Sequence, residues 1–168
     1  MERSLSNEVL YGRPPDHLRI FVSSKMRGGS LAAERAAARD AVDAYPKHKA
    51  WLWERDTAAG PYSSVAACLG KAATSDGLIL IVGEDLTPIT RREYFAALRE
   101  GVPPYVFVKD GLARTTKAQR FIRAQQNKKV VTANFANTRE LKTQIRAALG
   151  GYQIYAIRLA NLNRRPQP

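Results

Sequence analysis

The stretch Gly77 to Gly83, "GLILIVG", decides the fold. Its five central residues are all apolar and do not alternate with polar ones. A strand of that kind is covered on both faces, as parallel strands lying between two layers of helices are. The chain on either side fits such a sheet. Upstream lie the helical pattern "YSSVAACLGKAAT" and the short strand "AWLWE" (50–54), joined by the polar loop "RDTAAGP". Further back, "SLAAERAAARDAVDAY" predicts a helix with Ser30 as N-cap and Leu31, Ala38, Val42 and Tyr45 along one stripe. Before it, "LRIFVS" predicts the first strand. Downstream, "EDLTP" is a loop, "ITRREYFAALRE" a helix closed by Gly101, and "PPYVFVKD" a fourth strand. A basic helix "ARTTKAQRFIRAQQ", a strand "KVVTANF" and a helix "TRELKTQIRAAL" ending at Gly150-Gly151 follow. Five strand–helix units in alternation predict an α/β fold, a five-stranded parallel sheet with helices on both faces.

At 168 residues and 45% hydrophobic content, the chain suits one domain with a substantial core. The reading is an N-terminal extension over 1–17, an α/β domain over 18–150 and a basic C-terminal extension over 151–168. The last of these opens with "YQIYAIRL", which suits either an extra strand or a helix. A lone cysteine, Cys68, allows no internal disulfide, and its apolar neighbours make it a buried small hydrophobe. No apolar run reaches signal-peptide or membrane-spanning length, so a cytoplasmic protein without membrane insertion is expected.

Charge is uneven. Residues 1–108 carry 14 Lys and Arg against 13 Asp and Glu, whereas 109–168 carry 13 against 2. Arg114, Lys117, Arg120 and Arg123 recur every three residues on the basic helix, a face suited to a polyanion such as nucleic acid, or to an acidic partner. The alternative is an ordinary solvated face. Several chemistries are excluded. "LGKAAT" lacks the upstream glycine of a phosphate-binding P-loop, no G-x-G-x-x-G follows the first strand, and the chain has no G-x-S-x-G elbow. With His17, His48 and Cys68 as the soft ligands, no metal site is expected.

Glu93 has two readings. Thr90 and Glu93 have the spacing of a helix capping box, in which the glutamate reaches back to the cap's N–H. A carboxylate on the first turn of a helix beyond a buried strand also stands where open α/β sheets place their chemistry. Arg91 and Arg92 beside it are expected to lower its pKa. Trp51 and Trp53 read as core, Asp76 as a cap where the third strand begins, and Glu34-Arg35 as a surface pair.

Four segments in order, "IFVSS" with "SLAAER", "TSDGLILIVG", "ITRREYFAA" and "GVPPYVFVKDG", resemble a bacterial TIR-like family that often sits at the N-terminus of signalling NTPases. The resemblance covers roughly 18–110. The sequence departs from the family pattern at Lys25, Ser30 and Glu84-Asp85. The resemblance implies a flavodoxin- or TIR-like sheet of order 2-1-3-4-5, with a crevice at the carboxyl ends of the first and third strands. Glu93 matches the working glutamate of TIR enzymes that split NAD and of the similar nucleoside deoxyribosyltransferases. Around it, Ser23, Ser24, Lys25 and Arg27 from the first loop and Gly83, Glu84, Thr90 and Arg92 from the third would bind the ligand.

Three functions remain open. One is an effector that binds and cleaves NAD or a related nucleotide at its N-glycosidic bond, in bacterial stress or defence, with no cofactor beyond that ligand. Another is a non-catalytic module for a nucleotide, for self-association or for a signalling partner. The third is a nucleic-acid-associated basic protein.

Overall fold

In the computed structural model, residues 12–26, 28, 31–59, 63–128 and 130–163 are described. The strands are β1 (Leu18–Ser24), β2 (His48–Trp51), β3 (Gly77–Val82), β4 (Pro104–Lys109) and β5 (Thr132–Phe135). The helices are α1 (Ala32–Asp43), α2 (Trp53–Asp56), α3 (Ser64–Ala73), α4 (Pro88–Arg99), α5 (Thr116–Asn127) and α6 (Thr138–Asn163). All strands pair in parallel in the order β2-β1-β3-β4-β5, with β3 central and each of its six residues buried.

Alternation along the strands divides the core in two. Ile20, Val22, Ile79, Ile81 and Phe107 face α1 and α6, against Ala38, Val42, Leu141 and Ile145. Phe21, Leu78, Leu80, Val82 and Val106 face the other layer, against Ala72, Tyr94, Ala97 and Phe121. α1 approaches closely because its inner positions are alanines. Burying one large apolar side chain contributes about 1.5–3 kcal/mol, so the doubly covered β3 is the most strongly held element.

Three elements differ from the sequence reading. β2 ends at Trp51, because Leu52 N–H donates to the Asp56 carboxylate (2.7 Å) and the chain turns into α2. Trp53 therefore lies on α2, half-buried and edge-on to Trp51, while Trp51 stacks on Phe21 as core. The last helix does not stop at Gly150-Gly151 but runs unbroken to Asn163, across the expected boundary of the C-terminal extension. Gly150 serves packing there, since a Cβ would come within 3.0 Å of the Tyr45 hydroxyl. α1 begins at Ala32, and Ser30, its expected cap, lies outside the described residues. Asp76 does hold the start of β3, accepting the Arg19 N–H (2.9 Å) and pairing with Arg13 (3.1 Å).

Candidate functional site

α1, which follows β1, and α4, which follows β3, cover opposite faces of the sheet. In open α/β sheets such a switch makes the carboxyl ends of the two neighbouring strands the expected place for a ligand crevice. The residues at that edge fall on the two faces.

On the α4 face, Ser23 turns inward from β1, and its hydroxyl donates to Glu93 Oε2 at 2.6 Å. The Cys68 thiol of α3 is a second hydrogen-bonding neighbour. Glu93 is 7% exposed. Burial raises its pKa above the usual 4.5, and the bonds from Ser23 and Cys68 oppose that shift. Burial, with the Glu93 charge added, pushes Cys68 up to about 12, so it stays a thiol and is no nucleophile at neutral pH.

Two expectations about Glu93 are corrected here. It forms no capping box, because the N-cap of α4 is Thr87, whose hydroxyl accepts the Thr90 N–H (3.2 Å) ahead of Pro88. Thr90 is buried and shares a hydroxyl–hydroxyl contact of 2.8 Å with Thr87. Nor do the neighbouring arginines depress its pKa. Arg91 lies over the Phe95 ring and Arg92 is exposed, because positions one and two residues away on a helix do not face Glu93.

The mouth on this side is ionic. Thr115, the N-cap of α5, donates its N–H to the Glu84 carbonyl and its hydroxyl to Asp85, each at 2.9 Å. The Leu86 N–H and then Thr115 lower the Asp85 pKa, with smaller help from Lys25 and Lys117. Lys25, just past the end of β1, and Lys117 of α5 thus act on the same carboxylate. Glu84 itself is exposed. Gly83 lies against the Leu31 side chain, where a Cβ would stand 3.2 Å from it.

On the α1 face, Ser24 accepts from Arg35 Nη1 (3.3 Å), which also reaches the Lys25 carbonyl (3.2 Å), while Arg35 Nε pairs with Glu54 (2.8 Å). Ser23 and Ser24 therefore serve opposite faces. Glu34 and Arg35 are not a surface pair: Glu34 is 4% exposed, and its Oε1 pairs with Lys109 Nζ at 2.7 Å. Sequence reasoning missed this pair. Its available signal was a lysine directly ending the apolar strand "YVFVK". Arg27 lies outside the described residues.

Of the basic helix, Lys117, Arg120 and Arg123 are exposed on α5, whereas Arg114 turns back to the Lys109 carbonyl and is half-buried. Among the described residues no helix is long and apolar enough to cross a membrane, and no cluster of His, Cys, Asp and Glu could hold a metal ion.

Residues 19–150 match the family described as Domain of unknown function (DUF4062). No curated protein matches significantly. Among solved structures, the metal-soaked Flv1 flavodiiron core from Synechocystis sp. PCC6803 is similar, at 12% identity and TM-score 0.53. The similarity covers 82% of this chain and 37% of that one, so the chain spans well under half of that protein's length. At this identity the likeness is one of fold, the flavodoxin-like sheet.

Proposed function

This chain belongs to the DUF4062 family, and we propose that its crevice binds NAD or a related nucleotide and that Glu93 assists cleavage of the N-glycosidic bond, in the manner of TIR-like enzymes. The Ser23–Glu93 pair carries this reading: a carboxylate held at 2.6 Å by a hydroxyl, buried where the strand order reverses. A perturbed acid in such a crevice is a functional candidate on physical grounds. When the C1′–N bond breaks, its electron pair leaves with the base and positive charge develops on the ribose ring. An ionised Glu93 stabilises that charge, water adds its oxygen to C1′, and a proton is released. A nicotinamide leaving group departs neutral and needs no acid. Lys25 and Lys117 supply positive charge at the mouth for phosphate.

The test is release of nicotinamide from NAD, and of bases from a small nucleotide panel, by concentrated protein beside Glu93→Gln. A loss of about a hundredfold or more in a variant that melts at or above the parent temperature supports the reading. Equal turnover by the two proteins sinks it.

A second reading, self-association, is favoured by α6. Its buried stripe of Leu141, Ile145 and Leu149 continues at helical spacing into exposed Tyr152, Tyr155 and Leu159. Beside the stripe, a groove of about 550 Å³ is lined by Tyr105, Phe107, Val130, Val131 and Ala148, and the Tyr105 ring meets Tyr152 at 6.1 Å. A convex and a concave apolar surface side by side on one chain suit a two-fold pairing with a second copy. Such pairing and the cleavage reading are compatible.

A further inference from the structure

The Glu34–Lys109 pair is costly as a purely structural device. Among the described residues, the buried Glu34 Oε2 has no hydrogen-bond partner, while Oε1 holds Lys109 at 2.7 Å. A buried carboxylate oxygen left unpaired is destabilising, and a buried ion pair is weak support for stability even when fully bonded. The location is specific as well. Glu34 stands one turn beyond Leu31, whose side chain abuts Gly83 at the end of β3, and Lys109 ends β4. The pair thus lies at the carboxyl edge of the sheet, across from the Ser23–Glu93 pair on the other face.

We infer that Glu34 and Lys109 form the second half of the ligand site, with Glu34 Oε2 accepting a hydrogen bond from an O–H or N–H group of the bound nucleotide. Lys109 balances the glutamate charge and, with its side chain 20% exposed, gives the ligand its approach. Its remaining ammonium protons are directed to an oxygen of the same ligand. Arg35, bonded to Ser24 and to the Lys25 carbonyl, fixes the end of β1 against α1 and so holds the two halves in register. The donor is either a ribose hydroxyl or an exocyclic amino group, since an acceptor oxygen recognises both. The inference rests on the nucleotide reading of the crevice.

The experiment measures calorimetric binding of AMP, IMP and 2′,3′-dideoxy-AMP to the parent, to Glu34→Gln and to Glu34→Leu/Lys109→Met. Replacing both members of a buried pair by apolar groups of similar size is often neutral or stabilising, so the double variant is expected to melt at or above the parent temperature. It is also expected to bind AMP tenfold or more weakly, a combination that a purely structural pair does not produce. In the parent, weaker binding of IMP identifies the amino group as donor, and weaker binding of the dideoxy nucleotide identifies the hydroxyls. Should the double variant fail to fold, Glu34→Gln decides, with at least a threefold loss for AMP expected. If the parent binds AMP and the variants bind it equally well, or if the parent does not distinguish the three probes, the inference is overturned while the crevice reading stands. If the parent binds no AMP the inference falls, and if calorimetry with NAD is silent as well the crevice reading falls with it.

Discussion

Glu93 spends its interactions inside the protein, on Ser23 and Cys68, and this sets how the molecule should respond to pH. Its pKa is raised on folding. Stability due to the neutral acid is therefore fully present below the unfolded-state value near 4.5 and is lost as pH rises through the higher folded-state value. Glu93→Gln has no such loss. Its melting temperature relative to the parent should climb as pH rises above about 4.5 and level off once Glu93 is ionised in the folded protein, and a flat difference would show that Glu93 is not buried as described. Ser23→Ala removes a buried bond to the same carboxyl group and should lower stability by about 1–3 kcal/mol in urea titration. Sequence spacing identified Glu93 but gave it the wrong local partner. Thr87 and Thr90 are both candidate caps, and the deciding signal was Pro88, which favours the first helical position and so points to Thr87. The arginines at 91 and 92 looked close in sequence, yet the helical turn directs them elsewhere.

At the scale of elements, caps and glycines give the sharpest tests. Thr87→Ala should destabilise by about 1 kcal/mol through loss of the α4 cap. Thr115→Ala should cost more, because Thr115 caps α5 and also ties it to Asp85 across the mouth. Equal urea midpoints for the two variants would contradict that link. In α6, Gly151 has open space around its Cα, whereas Gly150 faces the Tyr45 hydroxyl. Gly151→Ala should therefore gain roughly 0.5–1 kcal/mol of helix propensity, and Gly150→Ala should gain less or lose. β3 was legible because a continuous apolar run admits little else, and β1 and β4 because β-branched and aromatic residues dominate their centres. β2 was placed two residues late at its start and three at its end, the end because Asp56, four residues past Leu52, competes for the backbone. The end of α6 was misread because paired glycines normally mark a stop; the neighbouring Tyr45 explains Gly150 inside the helix, and nothing in the structure explains Gly151. The Glu34–Lys109 pair was out of reach for another reason: it joins positions 75 residues apart on elements that meet only in the folded sheet.

The whole molecule separates a nearly neutral first part from a strongly basic one, and the described acid-free span 111–128 exposes Lys117, Arg120 and Arg123 on α5, with Lys117 acting on Asp85 at the mouth. Clustered positive charge of this kind attracts anionic ligands at low ionic strength. The apolar continuation of α6 carries a separate expectation: the parent should sediment as a dimer at micromolar concentration, and Tyr155→Ser with Leu159→Ser should return it to a monomer. A monomeric parent would remove the self-association reading. For the crevice itself, the decisive measurement is the pH profile of nicotinamide release from NAD by the parent and by Ser23→Ala. Because the reaction needs the ionised carboxylate, and because the Ser23 bond lowers the Glu93 pKa, the expected result is a rate that rises with pH through one ionisation above 4.5 and rises later in Ser23→Ala. No turnover at any pH, or two superimposable profiles, would contradict a catalytic Glu93.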